Sequence, residues 1–311
     1  MKKITGIMIG LLTFAVMCTG CSGEKADNKS KEVNVNKIVT DKTVQCNWFD
    51  SDNVDSSYML DKLSFSKDNN IAVLSYTTMK MGAKLDEYYT FYYAELRGDA
   101  YTLPEKIEFD SDYYPISAQI TYSGDKIVFT GIPAKQAETV EGFNNGCNLY
   151  IGDFENGEVS NVSQLDFKED GMRYYIVSLL EDESIVYNSY DAKNDKFTSK
   201  IAKMTDGEYE VKELDLGKLN DYYSKTTYVT GDKAFMWIAD ATDKSFMAYV
   251  AQYTDGEFSE ISSISPEFMN SKDYKKFYSA VGFDRNGGIY MHEKGSGGIK
   301  LYRCKIENFT K

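Results

Sequence analysis

The residue pattern best suited to chemistry in this sequence is a tyrosine pair beside a charge. It occurs as Asp112-Tyr113-Tyr114, Arg173-Tyr174-Tyr175 and Asp221-Tyr222-Tyr223, and in looser form as Asp273-Tyr274 followed by Tyr278. Tyrosine offers a flat apolar face and a polar tip at small entropic cost, which suits a sugar, a peptide or a proline-rich segment. The same rings could instead fill the space between sheets, in a chain that holds 25 tyrosines. Exposed ring faces would mark the first role and covered rings the second. Asp112, Asp221 and Asp273 also admit an enzyme reading, since a glycosidase needs two carboxyls about 5–10 Å apart, one with a raised pKa.

Other chemistry has little material to work with. His292 is the single histidine, so a multi-His zinc cage or an HExxH site is excluded. With 35 basic and 48 acidic residues the net charge is -13, which repels phosphates and excludes nucleic acid as a partner. Carboxylates cluster in Phe49-Asp-Ser-Asp-Asn-Val-Asp55 and Glu108-Phe-Asp-Ser-Asp112, a hard-cation chemistry. The first cluster fails the EF-hand pattern at Val54 and Asp55, and no metal site is assigned. No phosphate-cradling Gly-rich loop, Ser nucleophile motif or dinucleotide fingerprint stands out, so no cofactor is expected. Cys46, Cys147 and Cys304 form an odd set that allows at most one disulfide. Either a Cys46 to Cys304 bridge locks the fold or all three are buried thiols. Thiol catalysis lacks the base or electropositive surroundings it needs.

The first twenty residues have a separate purpose. Lys2-Lys3 precedes an apolar run from Ile4 to Met17, too short to span a ~30 Å hydrocarbon core and matched to an export signal. It ends in Cys18-Thr19-Gly20-Cys21-Ser22, which resembles the bacterial lipobox, although Cys18 stands where that motif usually has Leu. The resemblance implies cleavage before Cys21 and a lipid on its thiol (diacylglycerol, with palmitate among the acyl chains). Residues 21–31 are almost wholly polar and read as a flexible tether. The chain is thus expected to be an exported lipoprotein, a monomer held by Cys21 at the outer face of the cytoplasmic membrane, or on the outer membrane of a host that has one.

Residues 32–311 must position the tyrosines, and they carry a repeat. Five segments share a strand, polar turn and apolar strand, aligned on Ile71, Ile127, Ile185, Ala234 and Ile289 at steps of 56, 58, 49 and 55 residues. A second turn recurs within the units as Arg97-Gly98-Asp99, Asn156-Gly157, Asp206-Gly207 and Asp255-Gly256, dipeptides typical of hairpins. Four strands per period of about fifty predict a single all-β domain, a β-propeller of five four-stranded blades. Six blades are the alternative if residues 32–60 form an extra partial blade, and a pair of β-sandwiches is the competing architecture. The fifth unit ends after three strands, and Glu32-Val-Asn-Val-Asn-Lys-Ile-Val39 alternates correctly to supply the fourth and close the ring.

Phe65-Ser-Lys-Asp-Asn-Asn-Ile-Ala-Val73, Tyr122-Ser-Gly-Asp-Lys-Ile-Val-Phe129 and Phe283-Asp-Arg-Asn-Gly-Gly-Ile-Tyr290 resemble the TolB-like, WD40-like (PD40-type) repeat. That family's turn proline is missing throughout, and no α/β domain precedes the repeats, so the resemblance implies architecture without a role in the Tol-Pal system. The reading that follows is a lipid-anchored propeller acting as a non-catalytic module for a glycan, peptide or protein. Its site is expected at Tyr113, Tyr114, Tyr174, Tyr175, Tyr222, Tyr223, Tyr274, Tyr278, Asp112, Asp221 and Asp273. A five-bladed, glycosidase-like carbohydrate-active enzyme is the alternative, although strand-start signatures of such enzymes and a sialidase box are absent from the sequence.

Overall fold

The computed structural model describes residues 38–40, 58–78, 85–98, 100–137, 146–167, 169, 171–194, 196–214, 225–230, 233–240, 245–254, 257–264, 277–293 and 301–306. These are nearly all strand. Strand β1 (Ile38–Thr40) comes first. Unit one holds β2 (Tyr58–Phe65), β3 (Ile71–Thr78) and β4 (Tyr89–Arg97), flanked by the short β5 (Ala100–Tyr101) and β6 (Glu105–Lys106). Unit two holds β7 (Glu108–Phe109), β8 (Tyr113–Ile120), β9 (Lys126–Pro133), β10 (Asn148–Glu155) and β11 (Glu158–Gln164). Unit three holds β12 (Met172–Leu179), β13 (Ile185–Asp191), β14 (Lys196–Thr205) and β15 (Glu208–Glu213). Unit four holds β16 (Lys225–Thr230), β17 (Lys233–Asp240), β18 (Ser245–Thr254) and β19 (Glu257–Ile264), and unit five β20 (Phe277–Phe283), β21 (Gly288–Glu293) and β22 (Leu301–Ile306).

Each unit is an antiparallel meander, and the units form a ring. The first strands touch in sequence, β2 to β8, β8 to β12, β12 to β16 and β16 to β20, and β20 returns to β2. The return is a parallel pairing of Leu63 with Gly282, where an added Cβ would stand 2.5 Å from the Leu63 carbonyl oxygen. Only glycine fits that approach. On the outer edge of unit five, β1 pairs antiparallel with β22, placing Val39 opposite Lys305. The N-terminal strand therefore completes the last unit, and the architecture is a β-propeller closed between its chain ends.

The turns form as the sequence predicts. Asn156-Gly157 and Asp206-Gly207 have positive φ at both residues, the backbone of a two-residue hairpin turn whose twist matches the flanking strands. The tyrosine-rich stretch from Glu87 to Glu95 begins in a helical turn at Leu85–Tyr88 and becomes strand at Tyr89. The seams between the units hold the core. Val73, Phe91, Ala118, Ile120 and Phe129 close the seam between units one and two, and Val128, Leu149, Phe167, Tyr174 and Tyr187 the next. Leu63, Phe65 and Leu74 meet Val281 and Tyr290 across the closing seam. Among the described residues no helix is long and apolar enough to cross a membrane.

Candidate functional site

Innermost strands in a propeller have one edge that no strand of their own unit covers, and their buried amides need other partners. Hydroxyls of the preceding unit supply them. Ile120 N–H donates to Ser64 Oγ at 3.0 Å, Ala118 N–H to Ser75 Oγ at 3.3 Å and Ile176 N–H to Thr130 Oγ1 at 2.9 Å. The innermost strands are also bulged. Register slips by one residue between Leu60 and Lys62, between Pro115 and Ser117, between Ile176 and Ser178, and between Phe277 and Ser279. A bulge bends its strand and takes main-chain groups out of the ladder.

The freed groups are used at the axis. Lys62 Nζ reaches from unit one to unit three and donates to the carbonyls of Ile176 and Val177 at 3.0 and 3.2 Å. Gln119 Nε2 also donates to the Val177 carbonyl, at 2.9 Å, and its Oε1 accepts from Leu179 N–H. Together these bonds form a floor shared by units one, two and three. Beneath it lies a cavity of about 20 Å³ bordered by Lys62, Ser64, Gln119, Ser178 and Arg285, room for about one water. Burial lowers the Lys62 ammonium to about 8, and raises the neighbouring Asp61 carboxyl, each effect partly offset by the other's charge.

Above the floor is the rim at which the innermost strands begin. Tyr89, Cys147 and Tyr175 gather there. Asp61 and Cys147 lie close enough to Tyr89 to add to the desolvation that raises its phenol. Burial pushes the Cys147 thiol up to about 11, and its hydrogen bond with Tyr175 and the charge of Arg173 pull it back. A thiol held protonated is a poor nucleophile, in keeping with the sequence reading. Cys147 is a buried free thiol, Cys304 sits in β22, and Cys46 lies outside the described residues.

The two tyrosine pairs among the described residues lie inside strands. Tyr113 and Tyr114 open β8, and Tyr174 and Tyr175 are the third and fourth residues of β12. They are also offset: Ile120 pairs with Ile127 and Leu179 with Ile185, so Tyr113 stands seven residues before the aligned point and Tyr174 five. Both land on the seam side. Tyr174 is buried, its ring 5.5 Å from Phe167 and 5.7 Å from Tyr187, with its hydroxyl donating to the Glu169 carbonyl. Tyr113 is half-buried against Tyr150 and Phe129, at 4.8 and 6.3 Å. Tyr114 and Tyr175 are half-buried, and Asp112 is exposed. Tyr278 falls at the β20 bulge. Asp221, Tyr222, Tyr223, Asp273 and Tyr274 lie outside the described residues.

Sequence reasoning passed over Asp61, Lys62, Gln119 and Tyr89. A signal was present in Tyr58-Met-Leu-Asp-Lys-Leu-Ser-Phe65, where two adjacent charges interrupt a strand otherwise suited to burial. At the opposite rim the aligned turns bond to one another. Lys67 N–H donates to the Tyr122 carbonyl at 2.7 Å, Ser123 N–H to Glu183 Oε1 at 2.9 Å and Arg285 Nε to the Phe65 carbonyl at 3.0 Å, with the Arg285 guanidinium over the Tyr122 ring. Asp284 fixes its own turn by accepting from Asn286 and Gly288 N–H and from Arg303 Nε. These carboxylates are structural ties.

No known family profile and no curated protein matches the chain. Solved structures that resemble it are β-propeller proteins. One is the subtype N11 neuraminidase-like protein of A/flat-faced bat/Peru/033/2010 (H18N11), at 10% identity over 90% of this chain and 96% of that one, with a TM-score of 0.45. Another is the β-propeller domain of the Trilobed protease from Pyrococcus furiosus, at 14% identity, 81% and 69% coverage and a TM-score of 0.38. A puromycin hydrolase matches at 12% identity over 74% of this chain with a TM-score of 0.40. The chain spans about a third of that hydrolase, covering 32% of it.

Proposed function

We propose that this chain is an exported lipoprotein, anchored through Cys21, whose propeller holds a ligand at the rim where the innermost strands begin, without catalysing its turnover. The observation that carries the reading is the polar crossing at the axis: Lys62 and Gln119 bond units one and two to unit three, and Tyr89, Cys147 and Tyr175 gather at the rim above them. A cup with a few convergent polar groups is the usual form of a binding site. Asp112, the one described member of the three carboxylates considered for acid/base work, is exposed, and its N–H donates to Asp110 Oδ1 in the turn before β8. The lipid anchor would keep such a cup at the membrane surface while the polar tether lets it stand off.

The test is a thermal-shift screen of residues 23–311 against oligosaccharides, cell-wall fragments, peptides and calcium, repeated with Tyr114→Ala and Tyr175→Ala. A ligand at 100 times its Kd stabilises by about 2.7 kcal/mol. A shift that the double variant loses while remaining folded supports the reading. Turnover of any of these compounds, abolished by Asp112→Asn, would establish the carbohydrate-active enzyme instead. Labelling with a radioactive fatty acid, lost in Cys21→Ser, tests the anchor.

A further inference from the structure

We infer that the rim where the innermost strands begin faces away from the membrane, and that the opposite rim, where the aligned turns lie, faces the lipid surface. This inference rests on the anchor at Cys21 and adds the side from which a ligand arrives. It follows from the direction in which the chain enters the ring. In unit five, β20 runs from the binding rim to the turn at 284–287, and β21 returns from that turn. Gly288, the first residue of β21, pairs with Lys305 near the end of β22, and His292 pairs with Leu301 at its start, so β22 finishes at the turn rim. Strand β1 is antiparallel to β22, with Ile38 opposite Ile306 and Thr40 opposite Cys304. The chain therefore enters the ring at the turn rim and climbs toward the other.

That point of entry decides what the anchor can do. Residues 22–37 join Cys21 to Ile38. A polar coil of that length has an r.m.s. reach of roughly 20–25 Å, enough to hold the turn rim close to the headgroups. An eight-residue inner strand such as β8 is about 26 Å tall at ~3.3 Å per residue. To press the other rim on the bilayer, the chain would have to return along that whole height. Doing so takes up its relaxed reach before a headgroup is met, and stretching it further costs chain entropy. With the turn rim toward the membrane, the coil keeps its freedom. The binding rim then opens to soluble or surface-displayed ligands, and headgroups of its own bilayer lie out of its reach.

The experiment reads distance from the bilayer by energy transfer. The full-length chain is lipidated in a bacterial host, purified in mild detergent and added to preformed phosphatidylcholine vesicles that carry a headgroup acceptor dye. A donor dye is coupled to an azide-bearing residue in place of Asp125 or Asp182 on the turn rim, or of Gln136 or Lys193 on the other side of the same two units, all four exposed. Comparing positions within one unit keeps tilt of the ring from deciding the result. Transfer from 125 and 182 is expected to exceed that from 136 and 193 several-fold, and Cys21→Ser to stay off the vesicles. Equal transfer from the two sides of vesicle-bound protein, or more from 136 and 193, overturns the orientation and leaves the anchor standing. A chain that gains no lipid, or that binds the vesicles equally as Cys21→Ser, overturns both.

Discussion

Lys62 is the residue on which the axis depends, and its position makes stability depend on pH. Its ammonium is held at about 8 against an ordinary value of 10.5, so between those limits the unfolded chain binds the proton that the folded chain has released. Stability contributed by this group therefore rises as pH rises from about 8. Cys147 acts oppositely, since its raised thiol keeps a proton that the unfolded chain loses above about 9. Denaturation in urea at pH 7.5 and 9 should show a gain in the wild type that is absent in Lys62→Met. Among the tyrosines, covered and half-covered rings should separate cleanly. Tyr174→Ala empties a packed seam and should cost about 3–5 kcal/mol by the usual scale for large aromatic cavities, whereas Tyr114→Ala should cost under about 1 kcal/mol, near the surface range. The same denaturation curves decide it. Equal losses would mean that Tyr114 packs as Tyr174 does and is unsuited to contacting a ligand.

Innermost strands are the elements that set the site, and their hydroxyl partners are testable. Thr130 is buried and its Oγ1 receives the Ile176 amide across the seam. Thr130→Val keeps the shape and orphans that amide, at about 1–3 kcal/mol for a buried unsatisfied group, with hydrogen exchange at Ile176 accelerating accordingly. Unchanged exchange there would show that the bond is dispensable. This level of structure was partly legible in the sequence. Strand and turn positions were plain because alternation and the Asn156-Gly157 and Asp206-Gly207 dipeptides are local signals, and both dipeptides form hairpin turns with positive φ. The bulges were not legible, since which residue is skipped depends on strands from other units. The tyrosine pairs, alike in sequence, differ by two places in register although β8 and β12 each carry one bulge, and the Asp61-Lys62 interruption gave no hint of its partner more than a hundred residues away.

Taken as a whole, the molecule is a ring whose stability is shared by seams and completed by a short N-terminal strand. Both the ring and its closure by the segment ending at Val39 follow from the repeat count, because three strands in the last unit leave one to be supplied. A chain starting at Asp41 lacks β1 and leaves the β22 edge bare. It should melt several degrees lower, at roughly 2–4 °C per kcal/mol for a domain of this class, and aggregate faster as exposed edges invite pairing. An unchanged melting temperature and colloidal stability would mean that the closure is incidental.

In the proposed function, ligand is held above the Lys62 and Gln119 floor, on the rim where the innermost strands begin. Hydrogen–deuterium exchange, with and without the compound that most raises the melting temperature, tests this directly. Protection is predicted within 58–62, 113–117 and 172–176, with little change in the turns at 66–70, 121–125 and 180–184. Protection confined to those turns, or to the outer strands β15 and β19, would contradict it.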